Sequence, residues 1–184
     1  MGILLGLTPF IAFFALMRLV SPLAGLVAGF AVSVLLALRM WWRGESIKIL
    51  EIGSLILFAG LVLYTLAAAP TWTVARVRLA VDGGLLAIVV ASLALGRPFT
   101  LQYAREKVAK ELWTTPQFVA TNRLITSVWA AAFVVLVAAD AAAEYVPIVP
   151  RWVDVAVSIL ALFGAIKFTV WYPARQRRSA AGER

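Results

Sequence analysis

Apolar positions along this chain form long continuous runs, and polar positions are gathered in the short intervals between them. The six longest runs cover residues 3–20, 23–41, 49–69, 79–95, 124–143 and 153–172. Each approaches the length of about 20 apolar residues that an α-helix needs to cross the hydrocarbon layer of a membrane. Because the runs are continuous rather than alternating, they favour helices over the strands of a barrel. We therefore predict an all-α, polytopic membrane protein with six transmembrane helices.

Composition supports this class. Hydrophobic residues make up 63% of the 184, and a soluble fold would leave more apolar surface than one core could cover. The runs and their intervals use nearly the whole sequence, which predicts a single transmembrane domain over residues 1–172 and a basic cytoplasmic tail over residues 173–184. No basic residue precedes the first run, so we expect it to be a retained helix rather than a cleaved signal.

The sequence lacks the residues on which several chemistries depend. It contains no histidine and no cysteine, the usual ligands of zinc, copper and haem, and histidine is also the commonest general base near neutral pH. No Gly-rich phosphate loop, nucleophile elbow or zinc motif occurs. We predict that the protein is not an enzyme and has neither a cofactor nor a metal site.

The net charge of +8 is informative when it is divided by side of the membrane, because Lys and Arg in short loops set orientation. Thirteen fall on one side: Arg39, Arg43, Lys48, Arg97, Arg105, Lys107, Lys110, Arg123, Lys167, Arg175, Arg177, Arg178 and Arg184. Four fall on the other: Arg18, Arg76, Arg78 and Arg151. This bias predicts that both termini lie in the cytoplasm and that the number of crossings is even. It also accounts for the basic charge without nucleic-acid binding.

The longest polar interval, residues 97–123, has a helical pattern. Leu101, Ala104, Val108 and Leu112 recur at steps of three and four, and charged residues occupy the other faces, as in a short helix lying in the interface. We predict contacts with anionic lipids or partner proteins for the basic residues of this interval and of the tail. They are Arg97, Arg105, Lys107, Lys110, Arg175, Arg177 and Arg178. A linker beside anionic headgroups and a partner-binding or gating element both remain open.

Acidic residues near the outer helix ends are the candidates for a polar site: Asp82, Asp140, Glu144 and Asp154. Each lies within about one turn of a predicted helix boundary, where an interfacial position explains it. Alternatively, these carboxylates line a water-accessible cavity that binds a cation or proton, since charged groups inside membranes are costly and commonly functional. That alternative predicts a small transporter or channel.

Two stretches carry a family resemblance. The first has Lys110-Glu111-Leu112, then Pro116, Gln117, Asn122 and Trp129. The second has Pro9, Phe10, Phe13, Phe14 and Arg18, followed by an Ala-rich helix ending in Trp41 and Arg43. In order and spacing they resemble the bacterial intracellular septation protein A family, small inner-membrane proteins also described as YciB-like.

The resemblance implies a process rather than a reaction. It implies a role in envelope maintenance or septation, with division or elongation proteins as partners, and it carries over no catalytic residue. The basic tail and the linker over residues 70–78 depart from the family pattern, which puts shared partners in doubt. Gly2 with Gly6, and Gly25 with Gly29, are small residues four apart that let helices approach closely. This spacing permits a homo-oligomer without requiring one.

Overall fold

The computed structural model describes residues 2–146, 148 and 150–182, and of these the side chains of all but Gly2, Arg151 and residues 177–182. The helices are α1 Gly2–Gly6, α2 Thr8–Leu19, α3 Pro22–Arg43, α4 Ile49–Ala68, α5 Val74–Ala94, α6 Phe99–Arg105, α7 Pro116–Tyr145 and α8 Arg151–Gly182. A 3₁₀ turn covers Lys110–Leu112. The described residues include no strand, which confirms the predicted all-α class.

Five helices are long and apolar enough to cross a membrane, as expected of a multi-pass membrane protein. They are α3, α4, α5, α7 and the Trp152–Gln176 part of α8. The first predicted run is instead divided into α1 and α2, which meet at Leu7. Pro9 lies in the first turn of α2, where its missing N–H favours a helix start over a helix interior. Alone, α2 is shorter than a membrane span.

The chain forms two compact units, Met1–Ser92 and Leu93–Arg184. In the first unit α3 packs against both α2 and α4. An aromatic cluster joins these helices, with the Phe58 ring 5.2 Å from Phe10 and 5.9 Å from Phe13 between centroids. The three rings are buried, so they form the core of this unit.

Glycine permits the close approach of α2 and α3. A methyl group at Gly25 would lie 2.7 Å from Met17 Cβ and 2.8 Å from the backbone oxygen of Phe13. At Gly29 it would overlap the ring of Phe58. Both glycines are buried, and their predicted role in helix packing is confirmed.

The connections around α3 follow from local sequence. Ser21 is extended and its side chain accepts a hydrogen bond from the Ala24 N–H at 3.1 Å, while Pro22 occupies the first helical position. At the other end Gly44 has φ of 64°, the left-handed conformation that commonly terminates helices. These signals produce the tight α2–α3 connection that the sequence predicts.

In the second unit α7 and α8 form an antiparallel hairpin, and α6 packs against α7. Both long helices exceed their predicted apolar runs. α7 begins at Pro116, where a proline in the first turn starts the helix ahead of the apolar run. α8 continues through Pro173 to Gly182, so the predicted tail is helical over its described part, residues 173–182.

Replacing Gly25 with alanine should destabilise the first unit by about 1–3 kcal/mol, because the new methyl group meets backbone as well as side-chain atoms. The free energy of unfolding in mixed micelles, followed by tryptophan fluorescence, measures this. Gly60→Ala is the matched control, since nothing lies within 4 Å of the added carbon. Equal losses for the two variants would contradict the packing role.

Candidate functional site

Several carboxylates within the membrane-length helices are buried. The Asp140 side chain is 0% exposed, Asp82 is 1% exposed, and Asp154 is also buried. Charged groups at membrane depth are expensive unless protein covers them, and they commonly mark functional positions. These three carboxylates are therefore the first candidates for a site.

Asp82 lies deeper in its helix than predicted. α5 begins at Val74, five residues before the predicted start at residue 79, so Asp82 is more than two turns inside it. Arg78 lies one turn before Asp82 on the same face and is 4% exposed. Its guanidinium carbon is 5.5 Å from the centroid of the Phe14 ring. The predicted start of this helix at residue 79 places Arg78 among the loop cations, although its four-residue spacing to Asp82 is a usable signal.

A second buried pair caps α4. The backbone N–H of Lys48 donates to Glu51 Oε2 at 2.7 Å, and the Lys48 ammonium lies 3.9 Å from Oε1. Both side chains are buried. Glu51 occupies the first turn as predicted, where the helix dipole favours an anion, and Lys48 lies just before α4, in the interval between helices to which the sequence assigns it.

Two side-chain hydrogen bonds fix the register of the α7–α8 hairpin. Trp129 Nε1 donates to Thr169 Oγ1 at 2.9 Å. Two turns nearer the α6 end, the Thr121 hydroxyl donates to Gln176 Oε1 at 2.8 Å. Trp129 is buried, unlike the interfacial tryptophans, so it anchors the hairpin internally.

This register places acidic residues of the two helices at neighbouring levels. In an antiparallel pair, equal steps away from a shared contact lead to the same level. Glu144 is fifteen residues after Trp129 and Asp154 is fifteen residues before Thr169, so Glu144 and Asp154 lie at the same level. A step of eleven residues likewise pairs Asp140 with Ser158, which is also buried. We call Asp140, Glu144, Asp154 and Ser158 the hairpin acidic cluster.

The hairpin acidic cluster contains three of the four predicted acidic residues, and the fourth, Asp82, belongs to the other compact unit. Within the described part of the chain, no group of three or more acidic side chains is arranged to hold a metal ion.

At the opposite end of the hairpin, residues 97–113 form an ordered surface that we call the α6 platform. Phe99, Leu101 and Tyr103 are buried, and the Phe99 ring meets Trp129 edge-on with centroids 6.3 Å apart. The Thr100 hydroxyl donates to the backbone oxygen of Asn122 at 2.9 Å and shares a 2.7 Å hydrogen bond with the Thr126 hydroxyl. These contacts attach α6 to α7.

The α6 platform differs from the single interfacial helix that the sequence predicted. α6 ends at Arg105, and Leu112, the last residue of the predicted apolar stripe, is 49% exposed. The chain folds back instead, with the Arg105 guanidinium carbon 5.4 Å from the Trp113 ring centroid and Trp113 Nε1 donating to the Val108 backbone oxygen at 3.0 Å. The segment is therefore held on α7 by the Phe99–Trp129 contact and closed by the contacts of Trp113, and it does not form the continuous amphipathic helix that was predicted.

The predicted contact cations divide into three groups. Arg97, Lys107 and Lys110 are exposed, as a binding role requires. Arg105 is half-buried over Trp113, and Arg175 is exposed with its guanidinium carbon 5.2 Å from the Trp171 ring centroid. The side chains of Arg177 and Arg178 lie outside the described residues.

Comparison of the sequence with protein-family models, with characterised proteins and with solved structures finds no match. The resemblance to septation protein A therefore stays a prediction, and the site is interpreted from its own residues.

Replacing Thr100 with valine should loosen the α6 platform, since the isosteric side chain leaves the buried Thr126 hydroxyl and the Asn122 carbonyl without this partner. Loss of a buried hydrogen-bond partner costs about 1–3 kcal/mol. Trypsin cleavage after Lys107 and Lys110 in bicelles should then accelerate about tenfold, because 1.4 kcal/mol corresponds to a factor of ten. Thr114→Val, at an exposed position, is the control and should cleave like the unmodified protein. Equal rates for both variants would contradict the anchoring role of Thr100.

Proposed function

We propose that this chain is a non-enzymatic, multi-pass protein of the bacterial inner membrane that takes part in envelope maintenance or septation. It acts through contacts of its cytoplasmic face with anionic lipids and with envelope or division proteins. The process comes from the resemblance carried by residues 9–43 and 110–129, and the mode of action is inferred from the geometry of the α6 platform.

The observation that carries this proposal is the ordering of the α6 platform. Buried Phe99, Thr100 and Tyr103 hold the segment on α7, while Arg97, Lys107 and Lys110 remain exposed. A segment ordered before binding loses less conformational entropy when a partner or a headgroup layer engages it. Each exposed cation near an anionic membrane surface contributes about 1 kcal/mol of attraction. A fixed basic surface of this kind suits a docking function.

The proposal includes six membrane crossings with the α6 platform on the cytoplasmic side. α1 and α2 follow each other with only Leu7 between them, and the Leu7 N–H donates to the Ile3 oxygen while its carbonyl accepts from Ile11. Residues 2–19 at 1.5 Å each extend about 27 Å, close to the roughly 30 Å hydrocarbon core. The excess of basic residues on the side of the α6 platform supports its cytoplasmic placement.

The double variant Lys107→Gln/Lys110→Gln tests the docking function in the native host. In a strain lacking the gene we expect altered cell length or envelope integrity, which the unmodified chain restores. The neutralised variant should restore it poorly, because two attractions of about 1 kcal/mol each are removed. Microscopy of cell length at equal membrane abundance of each variant measures this.

The charge-preserving variant Lys107→Arg/Lys110→Arg is the matched control and should restore the phenotype. Full restoration by the glutamine variant would exclude the α6 platform cations as the working surface. A deletion strain with unchanged cell length and envelope would contradict the proposed process itself.

A second candidate function rests on the hairpin acidic cluster. Three carboxylates lie within about two helical turns of one another along α7 and α8, and Asp140 is fully buried. Intramembrane carboxylates are typical of proton relays and ion paths. Because Asp140 has no surface open to water, conduction would require a second conformation that hydrates it. Because of this requirement, transport is the second candidate function and docking is the first.

Replacing Asp140 with asparagine removes the titratable group and nearly preserves its shape. If the hairpin acidic cluster conducts, proton flux in proteoliposomes should fall at least tenfold. Glu111→Gln, an exposed carboxyl outside the cluster, should leave the flux unchanged. Unchanged flux in the Asp140 variant would eliminate transport through this cluster.

A further inference from the structure

One face of α8 remains uncovered along its membrane-length part. α8 is the least buried of the five candidate spans, because only 17% of its most apolar 18-residue stretch is buried. Its exposed large side chains recur at helical spacing: Ile159, Leu160, Phe163, Ile166, Val170 and Trp171. We call this stripe the α8 outer face. An apolar stripe alone would be explained by lipid.

Lys167 interrupts this face with a positive charge. Its side chain is exposed, and its ammonium lies 5.3 Å from the centroid of the Phe163 ring. Phe163 is one turn nearer the helix start, so the Lys167 side chain points back along α8, away from the end that carries Trp171.

Two exposed tryptophans indicate the depth of Lys167. Trp152 and Trp171 are nineteen residues apart, a rise of about 28 Å, which matches the spacing of the two interfacial aromatic belts. Lys167 lies about 6 Å inside the level of Trp171, and its ammonium is deeper still. The charge therefore faces hydrocarbon on an uncovered helix surface, where it is costly and calls for an anionic partner.

The described part of this chain does not supply that partner. Among the described residues no carboxylate forms an ion pair with Lys167. A second copy is also unsuitable, because the acidic residues of its membrane-length helices are buried or half-buried. Among the described residues, the exposed acidic ones are Glu45, Glu106 and Glu111, and they lie outside those helices.

We propose that the α8 outer face docks a transmembrane helix of another membrane protein, and that this helix carries an Asp or Glu at the depth of Lys167. Gly164 lies beside Lys167 on the exposed surface, and nothing stands within 4 Å of the position of its absent side chain. A partner backbone can approach closely there, which favours interhelical contact in a membrane. This contact is independent of the α6 platform and adds an intramembrane recognition site to it.

A designed transmembrane peptide tests this contact with the full chain. The probe is a polyleucine helix carrying one Glu about 6 Å inside its interfacial end, compared with the same peptide carrying Gln. Energy transfer between the labelled peptide and the full chain, labelled at Ser179→Cys, is measured in phosphatidylcholine vesicles. The Glu peptide should bind at least tenfold more tightly than the Gln peptide. Lys167→Met should abolish this preference, and Lys167→Arg should retain it.

Lys110→Met, which removes an exposed cation outside the membrane-length helices, is the control and should keep the preference. Equal binding of the Glu and Gln peptides would overturn the proposal, as would a preference that survives Lys167→Met. Loss of the preference when phosphatidylglycerol replaces part of the phosphatidylcholine would also overturn it, because a lipid phosphate would then be the occupant. Folding of Lys167→Met is not at risk, since methionine is compatible with a lipid-facing position.

Discussion

A carboxylate within a membrane-length helix is costly unless protein covers it, and this constraint orients α5, α7 and α8. In α5 the covered face carries Arg78 and Asp82, in α7 it carries Asp140, and in α8 it carries Asp154. Turning any of these helices by half a revolution would present a charge to hydrocarbon. The buried charges thus determine which side of each helix packs, and apolar residues, which suit lipid and protein equally, fill the remaining surface.

Packing and hydrogen bonding then fix the helices at specific distances. Gly25 and Gly29 bring α3 close to its neighbours in the first unit, where there is no room for a side chain. In the second unit the Trp129–Thr169 hydrogen bond sets the register of α7 and α8 and presents the Trp129 ring to Phe99. A single buried tryptophan therefore links the hairpin to the α6 platform, so the ordering of the basic surface depends on the same contacts that hold the membrane helices together.

Hydropathy was sufficient to predict the helical class and the long spans, because lipid exposure demands continuous apolar runs. Hydropathy misplaced the start of α5, because it cannot distinguish an arginine that is buried within a helix, such as Arg78, from an arginine in a loop. The hairpin acidic cluster was partly predictable, because Asp140 and Asp154 stand near adjacent helix ends. Their level relative to Ser158 depends on the α7–α8 register, which the Trp129–Thr169 and Thr121–Gln176 hydrogen bonds reveal. The fold-back of the α6 platform was not predictable, because periodicity cannot distinguish a stripe that faces headgroups from one that faces another helix.

In the proposed topology the chain crosses the membrane six times and the α6 platform lies in the cytoplasm. Because the sequence contains no cysteine, single cysteines can be placed at Val20, Ser46, Thr71 and Thr114 and probed in intact cells with a membrane-impermeant maleimide. We predict that Val20→Cys and Thr71→Cys react in intact cells, and that Ser46→Cys and Thr114→Cys react only after lysis. Labelling of Thr114→Cys in intact cells, or protection of Val20→Cys until lysis, would contradict this topology.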